Sequence, residues 1–170
     1  MDASALRAMQ APLKDTYRAD PDAALVTLRA EGTIDEVSIS CKVETGRALA
    51  VAGLHPATGG SGAELCSGDM LLEALVACAG VTLKAVATAL GIELRSGRVS
   101  AEGDLDFRGT LGVDKAAPVG FRAIRLAFEV DTDAPAEQVD TLLKLTERYC
   151  VVFQTLNAKP ALDVVLQRAG

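Results

Sequence analysis

Hydrophobic and polar positions along this 170-residue chain follow two different periods. Val37, Ile39, Cys41 and Val43 alternate with charged or hydroxyl residues, which is the period-two mark of a half-buried strand. Three strand-like runs lie in this part, Leu25–Ala30, Ile34–Glu44 and Arg47–Val51, with Glu44-Thr45-Gly46-Arg47 as a hairpin turn. Between Met70 and Leu90 the alternation stops. Of those 21 residues only Glu73, Thr82, Lys84 and Thr88 are plainly polar, which predicts a helix buried almost all round. Ser67 suits its N-cap, Asp69 its positive first turn, and Gly91 its C-terminal stop.

Period two returns at Val99, Ala101, Gly103, Leu105 and Phe107, and again at Ile124, Leu126, Phe128 and Val130. Asp133-Ala134-Pro135 then opens a second helix with Val139, Leu142, Leu143 and Leu145 as its apolar face. Ala161–Gln167 reads as a closing strand. Residues 1–24, interrupted by Pro12 and Pro21, read as an N-terminal arm with at most a short helix; residues 25–170 read as one domain. The resulting order, βββ-α-ββ-α-β, is α+β in class with a long buried central helix.

Charge removes two function classes. Lys+Arg 17 against Asp+Glu 23 leaves a net charge of −6, and no basic run of five residues exists. Binding to nucleic acid depends on clustered cations, so no nucleic-acid partner is expected. The apolar segment has bilayer length, but two formal charges and flanks without Trp or Tyr favour a core helix and no membrane partner. The N-terminus carries no secretory pattern, which points to a cytoplasmic protein with reduced thiols.

Four cysteines then become the candidates for chemistry, at 41, 66, 78 and 150. None form C-x-x-C, and their spacings match no zinc-finger or ribbon pattern. Cys41 falls on the apolar side of its strand run, where a cysteine is a small core residue. Cys66 lies in a loop, residues 53–69, that holds five glycines. It is open to three readings: a second resolving thiol, a metal ligand with His55, or a packed loop residue. Cys78 sits mid-helix, where a lone cysteine is normally buried core. Cys150 follows the second helical pattern, and if the next apolar turn is helical it stands near an N-terminus, where thiol pKa falls.

The run Asp69-Met70-Leu71-Leu72-Glu73-Ala74-Leu75-Val76-Ala77-Cys78, with Cys150 a further 72 positions on, resembles the OsmC/Ohr family of peroxide-reducing proteins. The resemblance covers roughly residues 25–168 and extends to the order of elements. It implies an intertwined homodimer whose sites are built at the subunit interface. Carried over by position, Cys78 is the peroxidatic thiolate and Cys150 the resolving thiol. Asp69 stands where the family usually has Glu, one methylene shorter.

The family also holds its thiolate with an arginine from the β region before the helix. Arg47 is the candidate here, with His55 as alternative and Arg18 and Arg29 further upstream. Cys78 being mid-helix, its own helix N-terminus cannot activate it, which is why a cation is expected. Glu147 and Arg148, beside Cys150, read either as a solvated pair or as lining the site. The implied reaction is reduction of an organic hydroperoxide through a Cys78–Cys150 disulfide, with an external dithiol as reductant and no metal or organic cofactor. The apolar residues Met70, Leu71, Leu75, Val152 and Phe153 would favour an organic peroxide over hydrogen peroxide. A different class is an OsmC-like protein that binds an apolar small molecule at its dimer interface without catalysis. A thiol redox sensor would need a partner surface that no segment marks.

Overall fold

The computed structural model describes residues 3–34, 41–43, 52–63, 65–166 and 168, with backbone alone at 3–7, 9, 28–34 and 41–43. A four-stranded antiparallel sheet carries the fold. It is built from β1 (Leu25–Ile34), β2 (Cys41–Val43), β5 (Ser96–Asp106) and β6 (Ala123–Asp131), in the order β2-β1-β5-β6. A two-stranded parallel pair, β3 (Ala52–Gly53) and β4 (Leu65–Cys66), stands beside the start of the central helix. That helix, α2, runs Ser67–Leu90 and packs on β1 and β5 and against α4 (Ala136–Tyr149) and α5 (Val151–Ala158).

The patterns that set this architecture are local. On β5, Val99, Ala101, Gly103 and Leu105 are buried while the residues between them are half-exposed, as period two requires. Gly103 is glycine because the ring of Phe121 lies across it: a Cβ there would stand 2.4 Å from that ring. On β6, Ile124, Leu126, Phe128 and Val130 face inward between exposed neighbours. The helix α2 ends at Gly91, whose φ of +68° is left-handed, and Ile92 N–H bonds back to the Ala87 carbonyl at 2.9 Å.

α2 is buried along one stripe rather than all round. Leu72, Leu75, Val76, Ala79, Leu83 and Ala87 recur at helical spacing against the sheet, whereas Leu71, Val81 and Leu90 are each more than a third exposed. By length and composition alone the helix could cross a membrane; here its apolar stripe forms the centre of the core. Its N-cap is Cys66, without a side-chain bond, and Ser67 is already the first helical residue.

Several expectations need correction. The N-terminal arm is a 17-residue helix, α1 (Ala3–Ala19), that takes Pro12 within it and anchors through Tyr17, 4% exposed. The run Ile34–Glu44 is not one strand. Ile34 pairs with Cys41, so the chain reverses between them, and β1 takes the whole of Leu25–Ile34. The alternating Val37 and Ile39 lie outside the described residues. The turn at Glu44–Arg47 and the run Arg47–Val51 lie outside the described residues. The closing strand is absent: residues 159–166 form no strand, and Leu162, Val164, Val165 and Leu166 are exposed. A strand forms only beside a partner edge, and among the described residues no strand pairs with this segment.

Candidate functional site

Two helices meet end to side at the candidate site. α4 stops at Cys150, whose extended backbone (φ −71°, ψ 105°) breaks the helical run while its N–H still bonds the Thr146 carbonyl at 2.9 Å. α5 begins at the next residue, with Cys150 as N-cap and no side-chain cap. A helix start leaves its first N–H groups without intrahelical acceptors. Here those of Val151 and Val152 are directed at the sulfur of Cys78, on the flank of α2. The thiol of Cys150 and the hydroxyl of Thr82, one turn beyond Cys78, point at the same sulfur.

The electrostatics separate the two thiols. Partial burial pushes the Cys78 thiol up, but the Val152 N–H, the Cys150 thiol, the Val151 N–H and the Thr82 hydroxyl all favour its thiolate, and the net result is a lowered value. Cys150, 1% exposed, behaves oppositely. Burial pushes its thiol up to about 11, against the N–H groups of Phe153 and Val152, and its hydrogen bond to Cys78 holds the proton in place. Of the two thiols, the surroundings of Cys78 favour the thiolate and those of Cys150 keep its proton on.

One expectation needs correction. Cys150 is indeed beside a helix N-terminus, yet its value rises because burial outweighs the N–H groups. The N–H groups that favour the Cys78 thiolate belong to the start of α5, not of α2. Thr82 and Val151 were not singled out for the site, and Val152 only as apolar lining. Thr82 had a readable signal, since a residue four positions on shares a helix face with Cys78; the two N–H groups had none.

The remaining candidates lie elsewhere. Asp69 is nine residues before Cys78, which on an ideal helix is roughly 13 Å along the axis and half a turn away. Within one chain it faces away from the thiolate. Burial raises its carboxyl and nearby His55 opposes that. His55 is the N-cap of a 3-10 turn, Pro56–Thr58: its Nδ1 accepts from Ala57 N–H at 3.0 Å, and its ring stacks on Phe107 at 4.9 Å between centroids. Tyr17 of α1 donates to the Ala57 carbonyl at 2.7 Å, fastening the same turn.

Cys66 is a half-buried free thiol that lines a cavity of about 400 Å³ with His55, Leu71, Leu105, Phe107 and Phe121. It is twelve residues, roughly 18 Å of helix, from Cys78, far beyond the ~7 Å between Cα atoms that a disulfide allows. Resolution of Cys78 by Cys66 of the same chain is therefore excluded. Arg47 lies outside the described residues. Arg18 is on exposed α1, paired with Asp15, and Arg29 is in β1. Glu147 and Arg148 are exposed, Arg148 resting over the Tyr149 ring, which fits the solvated reading.

An apolar groove of about 440 Å³, whose lining includes neither Cys78 nor Cys150, lies among Leu83, Phe128, Val139, Leu142, Glu147 and Phe153. A smaller one of about 320 Å³ lies between Leu75, Phe121, Ile124, Phe153 and Leu156. Cys78 itself is partly open to solvent.

An α+β protein with one long helix, and with two cysteines from separate helices brought to a single point, is the class this structure defines. Residues 60–165 match the family model described as OsmC-like protein, and the chain belongs to that family. In fold it is similar to an OsmC-like hydroperoxide resistance protein from Jannaschia sp. CCS1, with a TM-score of 0.56 and 18% identity. That likeness covers 86% of this chain and 94% of the other. None of the curated proteins matches the sequence.

Proposed function

We propose that this protein is a cysteine-based reductase of organic hydroperoxides, with Cys78 as the attacking thiolate and Cys150 as the resolving thiol. One observation carries the reading: the sulfur of Cys78 receives two backbone N–H groups, a thiol and a hydroxyl, an arrangement that favours the thiolate. The thiolate is the nucleophile in peroxide chemistry, and an ordinary thiol is only a few per cent ionised at neutral pH. Family membership and the hydroperoxide resistance protein of like fold agree with it.

In this reading the Cys78 sulfur takes the terminal oxygen of the peroxide, the O–O bond breaks, and an alcohol leaves. Cys150 then attacks the sulfenic acid, water departs, and a Cys78–Cys150 disulfide remains for an external dithiol to reduce. The α5 N–H groups favour the thiolate alongside the cation expected at Arg47, which lies outside the described residues. Apolar surroundings, with Leu75, Val152 and Phe153 close by, favour an organic substrate. The protein acts as a homodimer in the cytoplasm. The exposed Leu162, Val164, Val165 and Leu166 supply apolar surface for such an assembly.

Binding of an apolar small molecule without turnover is the competing reading, favoured by the cavity around His55 and Cys66, whose lining includes neither Cys78 nor Cys150. One assay separates them. With cumene hydroperoxide and a dithiol, the native protein should consume peroxide and Cys78→Ser should lose at least about 100-fold of the rate. Undiminished turnover by Cys78→Ser, or no turnover by the native protein, would overturn the reductase.

A further inference from the structure

Reduction of a hydroperoxide needs a proton as well as a nucleophile. Breaking the O–O bond expels an alkoxide, a strongly basic leaving group, and a donor placed at the reacting sulfur lowers that barrier. The groups directed at Cys78 can be compared as acids. The N–H groups of Val151 and Val152 hold their protons. The Thr82 hydroxyl is itself an alcohol and offers no driving force to another alkoxide. The thiol of Cys150 is a far stronger acid than any alcohol, is sealed from water at 1% exposure, and already points its hydrogen at the reacting sulfur.

We infer that Cys150 is the proton donor of the peroxide-cleaving step, before it acts as the resolving thiol. The inference rests on the reductase reading above. As the S–O bond forms at Cys78, the two electrons come from its thiolate and the O–O bond breaks. The terminal hydroxyl stays on sulfur as the sulfenic acid. The departing alkoxide takes the proton of Cys150, directly or through the hydroxyl in transfer, and leaves as alcohol. Cys150 is now a thiolate beside a sulfenic acid. It attacks that sulfur, the S–S bond forms, the S–O bond breaks, and the hydroxide released collects a solvent proton as water.

The consequence is a fixed order of events. In the resting pair one sulfur is charged, and its neighbour keeps its proton because burial and the Cys78 thiolate both oppose a second charge. Cys150 becomes nucleophilic only when peroxide has reacted. A single thiol thus supplies the proton of the first step and the electron pair of the second.

The test is the single-turnover rate of Cys78 oxidation, read by mass as the Cys78–Cys150 disulfide in the native protein and as the dimedone-trapped sulfenic acid in the variants, well above the pH at which Cys78 ionises. Native protein, Cys150→Ser and Cys150→Ala are compared with cumene and tert-butyl hydroperoxides and with a peracid whose leaving group needs no proton. Cys150→Ala should be slower by about 100-fold with the alkyl hydroperoxides and near native with the peracid. Cys150→Ser, whose hydroxyl is no stronger an acid than the departing alcohol, should be slowed with the alkyl hydroperoxides as Cys150→Ala is. Equal rates for native protein and Cys150→Ala with the alkyl hydroperoxides would overturn the inference, as would an equal loss with the peracid, which marks a merely structural role. A native protein whose Cys78 is oxidised by no peroxide, to sulfenic acid or to disulfide, would instead overturn the reductase reading beneath it.

Discussion

The same helix carries a cysteine at each of two places, and their surroundings have little in common. Cys66 caps the start of α2, looks into an apolar cavity beside the stacked rings of His55 and Phe107, and has no side-chain cap bond. Cys78, twelve residues on, meets the uncapped start of a second helix, a buried thiol and a threonine hydroxyl. Distance along the chain says nothing of this difference. Reactivity of a thiol follows from which donors face its sulfur, and at Cys78 they come from residues 72 to 74 positions away as well as from its own helix.

The sharpest way to break this contrast is to titrate the protein with peroxide. One equivalent should join Cys78 to Cys150 completely while Cys66 stays open to alkylation, as peptide mass mapping would show. A disulfide containing Cys66 would place the redox chemistry at the wrong end of the helix. A graded effect is expected from Thr82→Val. Removing one donor to the thiolate raises the pKa of Cys78, so the pH midpoint of its iodoacetamide alkylation should move upward by about one pH unit. Thr82→Ser should restore it, and Cys66 alkylation should not move. The smallest effect belongs to the other end. Tyr17→Phe removes the hydrogen bond to the Ala57 carbonyl and should cost about 1 kcal/mol in urea unfolding, with the Cys78 profile unchanged. A shifted Cys78 profile in that variant would mean that the two regions are coupled.

How far the sequence reached can be judged element by element. The bounds of α2, its stop at Gly91 and the alternation on β5 and β6 were legible because each rests on side chains a few residues apart. The pairing of Ile34 with Cys41 was missed because the period of side chains along a strand does not say which strand lies beside it. The closing strand at 161–167 was read from apolar content, yet pairing needs a neighbour that content cannot supply. At the site, the two sulfurs were found through family resemblance. The activating group was sought among side chains, so a backbone donor escaped notice. Asp69 was carried over from the family's Glu position and, nine residues before Cys78, lies half a turn away from it on an ideal helix.

By itself, then, the sequence determined the central helix, the strand periods, the negative charge and the positions of the cysteines. Only the tertiary structure decided which thiol has surroundings that favour its thiolate. Every residue contributes the same N–H, and what that group does depends on where a helix happens to begin and what lies opposite its first turn. Cys150 breaks the helical run, the chain restarts at Val151, and the freed N–H groups find the sulfur of Cys78. That meeting is a property of packing between α2 and α5, and no pattern of side chains spells it out.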